Sequence, residues 1–190
     1  PAYGWSYAAW LGQLAQNPTV DGSGMSEFII STYVINDTLL SEVRATSDEI
    51  AQEESTTTLS AIESARVPDV IGAMNQFVSA FAFIDQGIVA EARTYARSYY
   101  PLFGEEASPS FIDIGNFSEV LTSMTDDAHV QQAAIQLQTA ISSAVVSEKH
   151  GLNMSGSNGI AFYFPDSDIY YFTEFNSEFP PYYAESSYKF

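Results

Sequence analysis

Apolar residues recur at three- and four-residue steps along several stretches of this chain, which is the spacing of amphipathic helices. The pattern predicts helices over residues 5–16, over an apolar run opened by Ser26 and Glu27, over residues 67–99, over residues 117–124, and from Asp126 or Asp127 to just before His150. Residues 19–24 have the composition of a turn. Pro68 fits the start of the long third helix, and Asn116 or Ser118 is expected to cap the fourth.

Two short segments have the pattern of strands. Thr58–Ile62 alternates polar and apolar residues, and residues 160–164 form an aromatic run closed by Pro165. Long helices between isolated strands predict an α/β fold with helices packed on a sheet. Because two strands are too few for such a sheet, this chain is expected to supply only part of it. Nothing divides the chain, so residues 1–190 are predicted to form a single domain or part-domain.

Charge narrows the possible partners. Only six Lys and Arg residues stand against 24 Asp and Glu, giving a net charge of −18. Nucleic-acid binding needs clustered basic residues, and an anionic membrane surface repels such a chain, so neither partner is expected. No apolar stretch reaches the length of a membrane span. The chain contains no cysteine, which excludes disulfides, thiolate metal sites and a cysteine nucleophile within it.

Four segments carry a family resemblance. They are PAYGWSYAAWL (1–11), TLSAIESARVP (58–68), FIDIGNF (111–117) and NGIAFYFP (158–165). In that order, they resemble motifs of the clostripain-like cysteine peptidases: P-x-x-G-W-x-Y-x-x-x-L, T-x-S-A-I-D-L-S-x-V, Y-I-D-L-x-D-F and G-L-S-I-Y-F-P. In the second segment, Glu63 and Ser64 replace the usual Asp-Leu pair.

The resemblance implies a caspase-like fold and an endopeptidase that cleaves after basic residues. It also implies self-processing into two chains, often with calcium-dependent activation, and an extracellular or cell-surface location. The family's catalytic His and Cys precede the Gly-Trp segment. This chain would therefore be the non-catalytic C-terminal portion, with an N-terminal portion carrying the dyad as its partner and a peptide as substrate.

The substrate-binding residues implied by the resemblance are Tyr3, Gly4 and Trp5. Family members often carry acidic or glycine residues before the Gly-Trp pair, where this chain has Ala2 and Tyr3. An aromatic ring there can stack on a guanidinium group or reshape the pocket. Specificity for arginine therefore does not transfer directly.

The remaining candidates for chemistry favour structural interpretations. His129 at a helix start and His150 before a glycine turn fit helix-end and surface positions better than catalysis. Acidic clusters (48–54, 105–106, 126–127 and 166–168) lack the calcium-loop pattern, so no cofactor is assigned to this chain, although calcium remains possible for a whole enzyme. The alternatives are an acidic extracellular binding or structural protein on a degenerate peptidase scaffold, and an unrelated helical partner-binding domain.

Overall fold

The computed structural model describes residues 7–33, 56–99 and 109–165. Within these ranges the α-helices are α1 (Tyr7–Gln16), α2 (Gly22–Thr32), α3 (Val67–Ala80), α4 (Gln86–Tyr95), α5 (Ile114–Met124) and α6 (Ala128–Ala144). The strands are β1 (Thr58–Ile62), β2 (Ser98–Tyr99), β3 (Phe111–Asp113), β4 (Val145–His150) and β5 (Ala161–Tyr163). Short 3-10 turns occupy Ser64–Arg66, Phe81–Phe83 and Leu152–Met154.

Aspartate side chains fix the starts of four helices. Asp21, Asp85, Asp113 and Asp127 are the N-cap residues of α2, α4, α5 and α6, and each side chain accepts a hydrogen bond from a backbone N–H of the first turn. These bonds satisfy donors that have no partner within the helix, and a negative charge there is stabilised by the helix dipole. Part of the acidic composition therefore has a local structural role.

The strands form two small antiparallel sheets. One pairs β1 with β4, placing Ser60 opposite Glu148, with a bulge between Ala61 and Ile62. The other has the order β2-β3-β5, with Ile112 opposite Phe162. The pairing joins segments far apart in sequence, so both sheets depend on tertiary folding.

The core lies where α3, α5 and α6 meet the three-stranded sheet. Phe117 is fully buried and packs edge-to-face against Phe77, Phe81 and Phe164. Leu121, Val130 and Leu137 are fully buried beside it. Offset and edge-to-face ring contacts add to the burial of apolar area, so Phe117 links the helices to the β5 segment.

Helix α2 packs against the two-stranded sheet. Its C-cap residue Tyr33 is buried, and the carbonyl of Tyr33 accepts a hydrogen bond of 2.6 Å from Lys149 Nζ on β4. A cation near helical carbonyls is favourable because of the helix dipole. None of the helices in the described ranges is long and apolar enough to cross a membrane.

The structure confirms a mixed α/β fold with helices packed against strands, and it confirms the helix predicted near the N-terminus, the helix begun at Asp127 and both predicted strands. The two-strand count was wrong, because β2, β3 and β4 are also strands. The residues before His150, which were predicted to be helical, form strand β4. Its residues pair with β1 instead of continuing α6.

The long helix predicted over residues 67–99 was also wrong. The chain leaves helical geometry at Ile84 and restarts at α4, because the Asp85 carboxylate accepts from Gly87 N at 2.6 Å and Gln86 Nε2 donates to the carbonyl of Phe81 at 2.9 Å. These local bonds compete with helix continuation.

The starts of two helices also differ from the prediction. Helix α2 begins at Gly22, within the predicted turn, and α5 begins at Ile114, capped by Asp113 instead of Asn116 or Ser118.

Candidate binding groove

A buried carboxylate organises the polar side of the three-stranded sheet. Asp113 has no exposed surface, and its Oδ1 accepts from Asn116 N at 2.9 Å and from Asn158 Nδ2 at 3.3 Å. Its Oδ2 accepts from Asn158 N at 2.7 Å and from the Tyr99 hydroxyl at 2.8 Å. Donors around both oxygens compensate for removing the charge from water. Asp113 thus holds together β2, the start of α5 and the turn before β5.

The Tyr99 hydroxyl also contacts a second hydroxyl. Tyr99 Oη lies 3.0 Å from Ser157 Oγ, and Ser157 is buried. Burial raises the pKa of Tyr99 above its ordinary value; the Ser157 hydrogen bond lowers it, and the charge of Asp113 raises it further. The phenol therefore stays protonated at neutral pH and donates to the carboxylate.

Two asparagines and an arginine extend this network to the neighbouring turn. Asn116 Oδ1 accepts from Arg97 N at 2.7 Å, Asn158 Nδ2 donates to the backbone carbonyl of Gly156 at 2.8 Å, and Arg97 Nε donates to the backbone carbonyl of Ser155 at 3.0 Å. The last two bonds fix the conformation of residues 155–158. The polar side chains of this network hydrogen-bond mainly to backbone atoms, so their role is structural.

A groove of about 610 Å³ lies beside this network. Its walls come from α5, the C-terminal part of α6, strand β4 and the turn at Ser157 and Asn158. The network fixes that last wall, because Asn158 bonds directly to Asp113. Four consecutive β4 residues, Val145, Val146, Ser147 and Glu148, line the groove.

The charges in the groove have one sign. Glu119 of α5 and Glu148 of β4 are the charged residues that line it, and the other lining side chains are neutral. Glu119 is exposed, whereas Glu148 is partly buried and lies 2.9 Å from Nδ1 of His150. Two carboxylates in one concave surface produce a negative potential that attracts cations.

Both histidines lie outside the groove lining. The His129 ring stacks on Phe83 with centroids 4.1 Å apart, and its Nδ1 is 3.4 Å from the Asp127 carboxylate. His150 pairs with Glu148 at the end of β4. The assignment of His129 to a helix start is confirmed, whereas the expected helix-end position of His150 was wrong, because β4 ends there.

The other predicted site residues fall outside the described ranges. Tyr3, Gly4 and Trp5 lie there, as do the acidic clusters at 48–54, 105–106 and 166–168. Within the described ranges, no group of three or more His, Asp or Glu side chains is arranged to hold a metal ion. Of the acidic cluster at 126–127, Asp127 serves as the N-cap of α6.

Sequence reasoning missed Asp113, Tyr99, Ser157 and Asn158 as one network. The available signal was Asp113 directly before a helix-forming segment, a typical N-cap position. No comparable signal connects Glu119 with Glu148, because their proximity depends on the packing of α5 and α6 against β4.

Comparison with models of protein families, with curated proteins and with solved structures found no match to this chain.

Proposed function

We propose that this chain is the non-catalytic C-terminal portion of a clostripain-like cysteine endopeptidase, completing its fold and its substrate cleft. The observation that carries the proposal is the order of the four motif-like segments, at 1–11, 58–68, 111–117 and 158–165. A single segment of that length recurs by chance, whereas four in the family's order are a stronger pattern.

The contacts between two of these segments support treating them as one unit. The segment at 111–117 supplies β3 and the start of α5, and the segment at 158–165 supplies β5. The two strands are paired, and Ile114 N donates to the carbonyl of Ile160 at 3.0 Å. The two motif-like segments therefore stabilise each other, as expected if both belong to one structural unit.

Sheet size supports the need for a partner. In the described ranges the two sheets contain two and three strands. A larger caspase-like sheet would require strands from elsewhere, and the proposed N-terminal portion would supply them. Unpaired strand edges favour the addition of further strands.

In the proposed enzyme, the N-terminal portion contributes the Cys and His. The cysteine thiolate attacks the peptide carbonyl, and the His protonates the leaving amine. This chain contributes Tyr3, Gly4 and Trp5 to the cleft that receives a basic side chain. An extracellular or cell-surface location, and calcium as a possible activator of the whole enzyme, belong to the same proposal.

The test is isolation of the native protein, followed by intact mass measurement and N-terminal sequencing of every co-purifying polypeptide. We expect a second chain, or a longer precursor, that contains Cys and His. We also expect cleavage of fluorogenic Arg or Lys substrates that iodoacetamide abolishes. Because this chain has no cysteine, inhibition by a thiol reagent would locate the nucleophile on the partner.

A lone species of 20.8 kDa, without a partner and without a longer precursor, would overturn the proposal. That result would favour an acidic binding or structural protein on a degenerate peptidase scaffold. A precursor in which the Cys or His is replaced would lead to the same conclusion.

A further inference from the structure

The groove runs along strand β4. Val145, Val146, Ser147 and Glu148 all line it. Val146 has no partner in the register with β1, where a bulge interrupts the ladder, so simple alternation of side chains does not assign these four residues to one face. In the described part of the chain, β4 pairs with β1 alone, so the opposite edge of β4 has no strand partner within these ranges.

The dimensions suit an extended chain. Four residues of a strand span about 13 Å, at roughly 3.3 Å per residue. Gln138, Thr139 and Ser142 of α6 form one wall, and Ser157 and Asn158 contribute to the groove from the turn before β5. These polar groups suit contacts to the side chains and backbone of a bound peptide. An added strand would pair with backbone groups of β4 that have no strand partner on that side within the described ranges.

Charge selects the occupant. Glu119 and Glu148 line the groove without a basic side chain among the lining residues, and the whole chain carries a net charge of −18. A second copy of this chain would bring the same excess of negative charge and would be repelled. A segment carrying Lys or Arg would be attracted.

We propose that the groove between α5, α6 and β4 binds an extended, basic peptide segment, which adds to the edge of β4 as a third strand. The backbone of the segment pairs with β4, and a Lys or Arg side chain approaches Glu119 and Glu148. Strand addition of this kind takes affinity from backbone hydrogen bonds and specificity from side-chain contacts. The inference is independent of the proposed peptidase function, because it is argued from the lining residues of α5, α6, β4 and the turn before β5.

The test uses the full chain and a fluorescein-labelled peptide about eight residues long, twice the length of the groove edge, in which Lys alternates with Thr and Val. Binding is followed by fluorescence anisotropy at low ionic strength. A second peptide with the same side chains carries N-methyl groups at alternate backbone positions along one edge. A third replaces each Lys with Glu.

We expect the unmodified peptide to bind and to slow hydrogen exchange of the β4 amides. N-methylation should weaken binding more than tenfold, because it removes backbone donors while keeping the charge. The Glu peptide should not bind.

A matched pair of protein variants locates the charge effect. Glu119→Gln keeps an oxygen that can accept from Asn116 Nδ2 but removes one carboxylate from the groove. It should weaken binding by about 1.5- to 5-fold, the range for one exposed ion pair. Glu91→Gln removes the same charge from the exposed surface of α4, away from the groove, and should leave binding unchanged.

The proposal is overturned if the N-methylated peptide binds as tightly as the unmodified one, or if no peptide protects β4. Equal weakening by Glu119→Gln and Glu91→Gln would also overturn it, because attraction would then reflect net charge alone. None of these results bears on whether a Cys- and His-containing partner exists, so the two proposals fail separately.

Discussion

The hydroxyl of Tyr99 donates to Oδ2 of Asp113 at 2.8 Å, and this bond joins two roles of one carboxylate. Asp113 caps α5 through Oδ1, while its Oδ2 receives Tyr99 and the backbone of Asn158. Strand β2, helix α5 and the turn that forms one wall of the groove therefore share a single buried anion. Changes to either residue test how much of the fold depends on it.

Replacing Tyr99 with Phe should destabilise the chain by about 1–3 kcal/mol, because it removes a hydrogen bond to a charged group and leaves the Ser157 hydroxyl without that partner. Urea unfolding followed by circular dichroism measures the effect. Tyr95→Phe is the matched control, since the side chain of Tyr95 is 66% exposed on α4. Equal stability of the two variants would contradict a structural role for the Tyr99 hydroxyl.

The effect of Tyr99→Phe should decrease at alkaline pH. Burial raises the pKa of Tyr99 above the ordinary value of 10.0, so the unfolded chain loses this proton first. The stabilisation is present below about pH 10 and is lost as pH rises towards the folded-state pKa. The urea midpoints of wild type and Tyr99→Phe should converge as pH rises from 8 to 11. A difference that stays constant would argue against the raised pKa.

Asp113→Asn should cost about 2–4 kcal/mol, although the side chain keeps its size. The amide NH₂ must face donors that the carboxylate oxygen accepted, and at least one of those donors loses its partner. Asp85→Asn is the control, because Asp85 caps the exposed start of α4 and Asn is an equally good N-cap. Urea unfolding should show a larger loss of stability for Asp113→Asn than for Asp85→Asn, because only Asp113 is buried.

Local periodicity located the helix that begins after Asp127, because α6 buries one apolar stripe that includes Val130, Leu137 and Ile141. It failed at Ile84, where the stripe continues through Ile88 although the backbone restarts at Asp85. It also missed β4, a polar segment that is a strand because β1, more than 80 residues earlier, pairs with it. The groove depends on such distant contacts, so its residues carry no local signal.

Asp127 should give α6 a pH-dependent contribution. Hydrogen bonds from Val130 N and His129 N lower the pKa of Asp127 below its ordinary value of 3.8. The ionised cap stabilises the fold above that value, and this stabilisation is lost as pH falls through the folded-state pKa. Asp127→Asn, which can still cap the helix, should therefore be less stable than wild type at pH 5, and the difference should shrink as pH falls through the folded-state pKa.

Urea midpoints measured across that pH range check this prediction. Asp126→Asn removes a neighbouring charge from a residue outside the N-cap position and serves as the control. A difference between wild type and Asp127→Asn that stays constant with pH would show that the cap does not depend on ionisation.

Gly159, in the turn beside the groove, should tolerate substitution poorly. Its φ is +91°, and an added Cβ would lie 3.0 Å from Ser60 Cβ and 3.2 Å from Val145 Cγ1, on the sheet formed by β1 and β4. Gly159→Ala combines left-handed backbone strain with crowding and should cost about 1–3 kcal/mol.

Gly72→Ala is the control for Gly159→Ala, because Gly72 is exposed within α3 and an added Cβ there has open space. That substitution should stabilise the chain by up to about 1 kcal/mol, because alanine favours the helix. Thermal and urea unfolding should thus move in opposite directions for the two variants, and a stabilising Gly159→Ala would contradict the tight approach of this turn to the sheet.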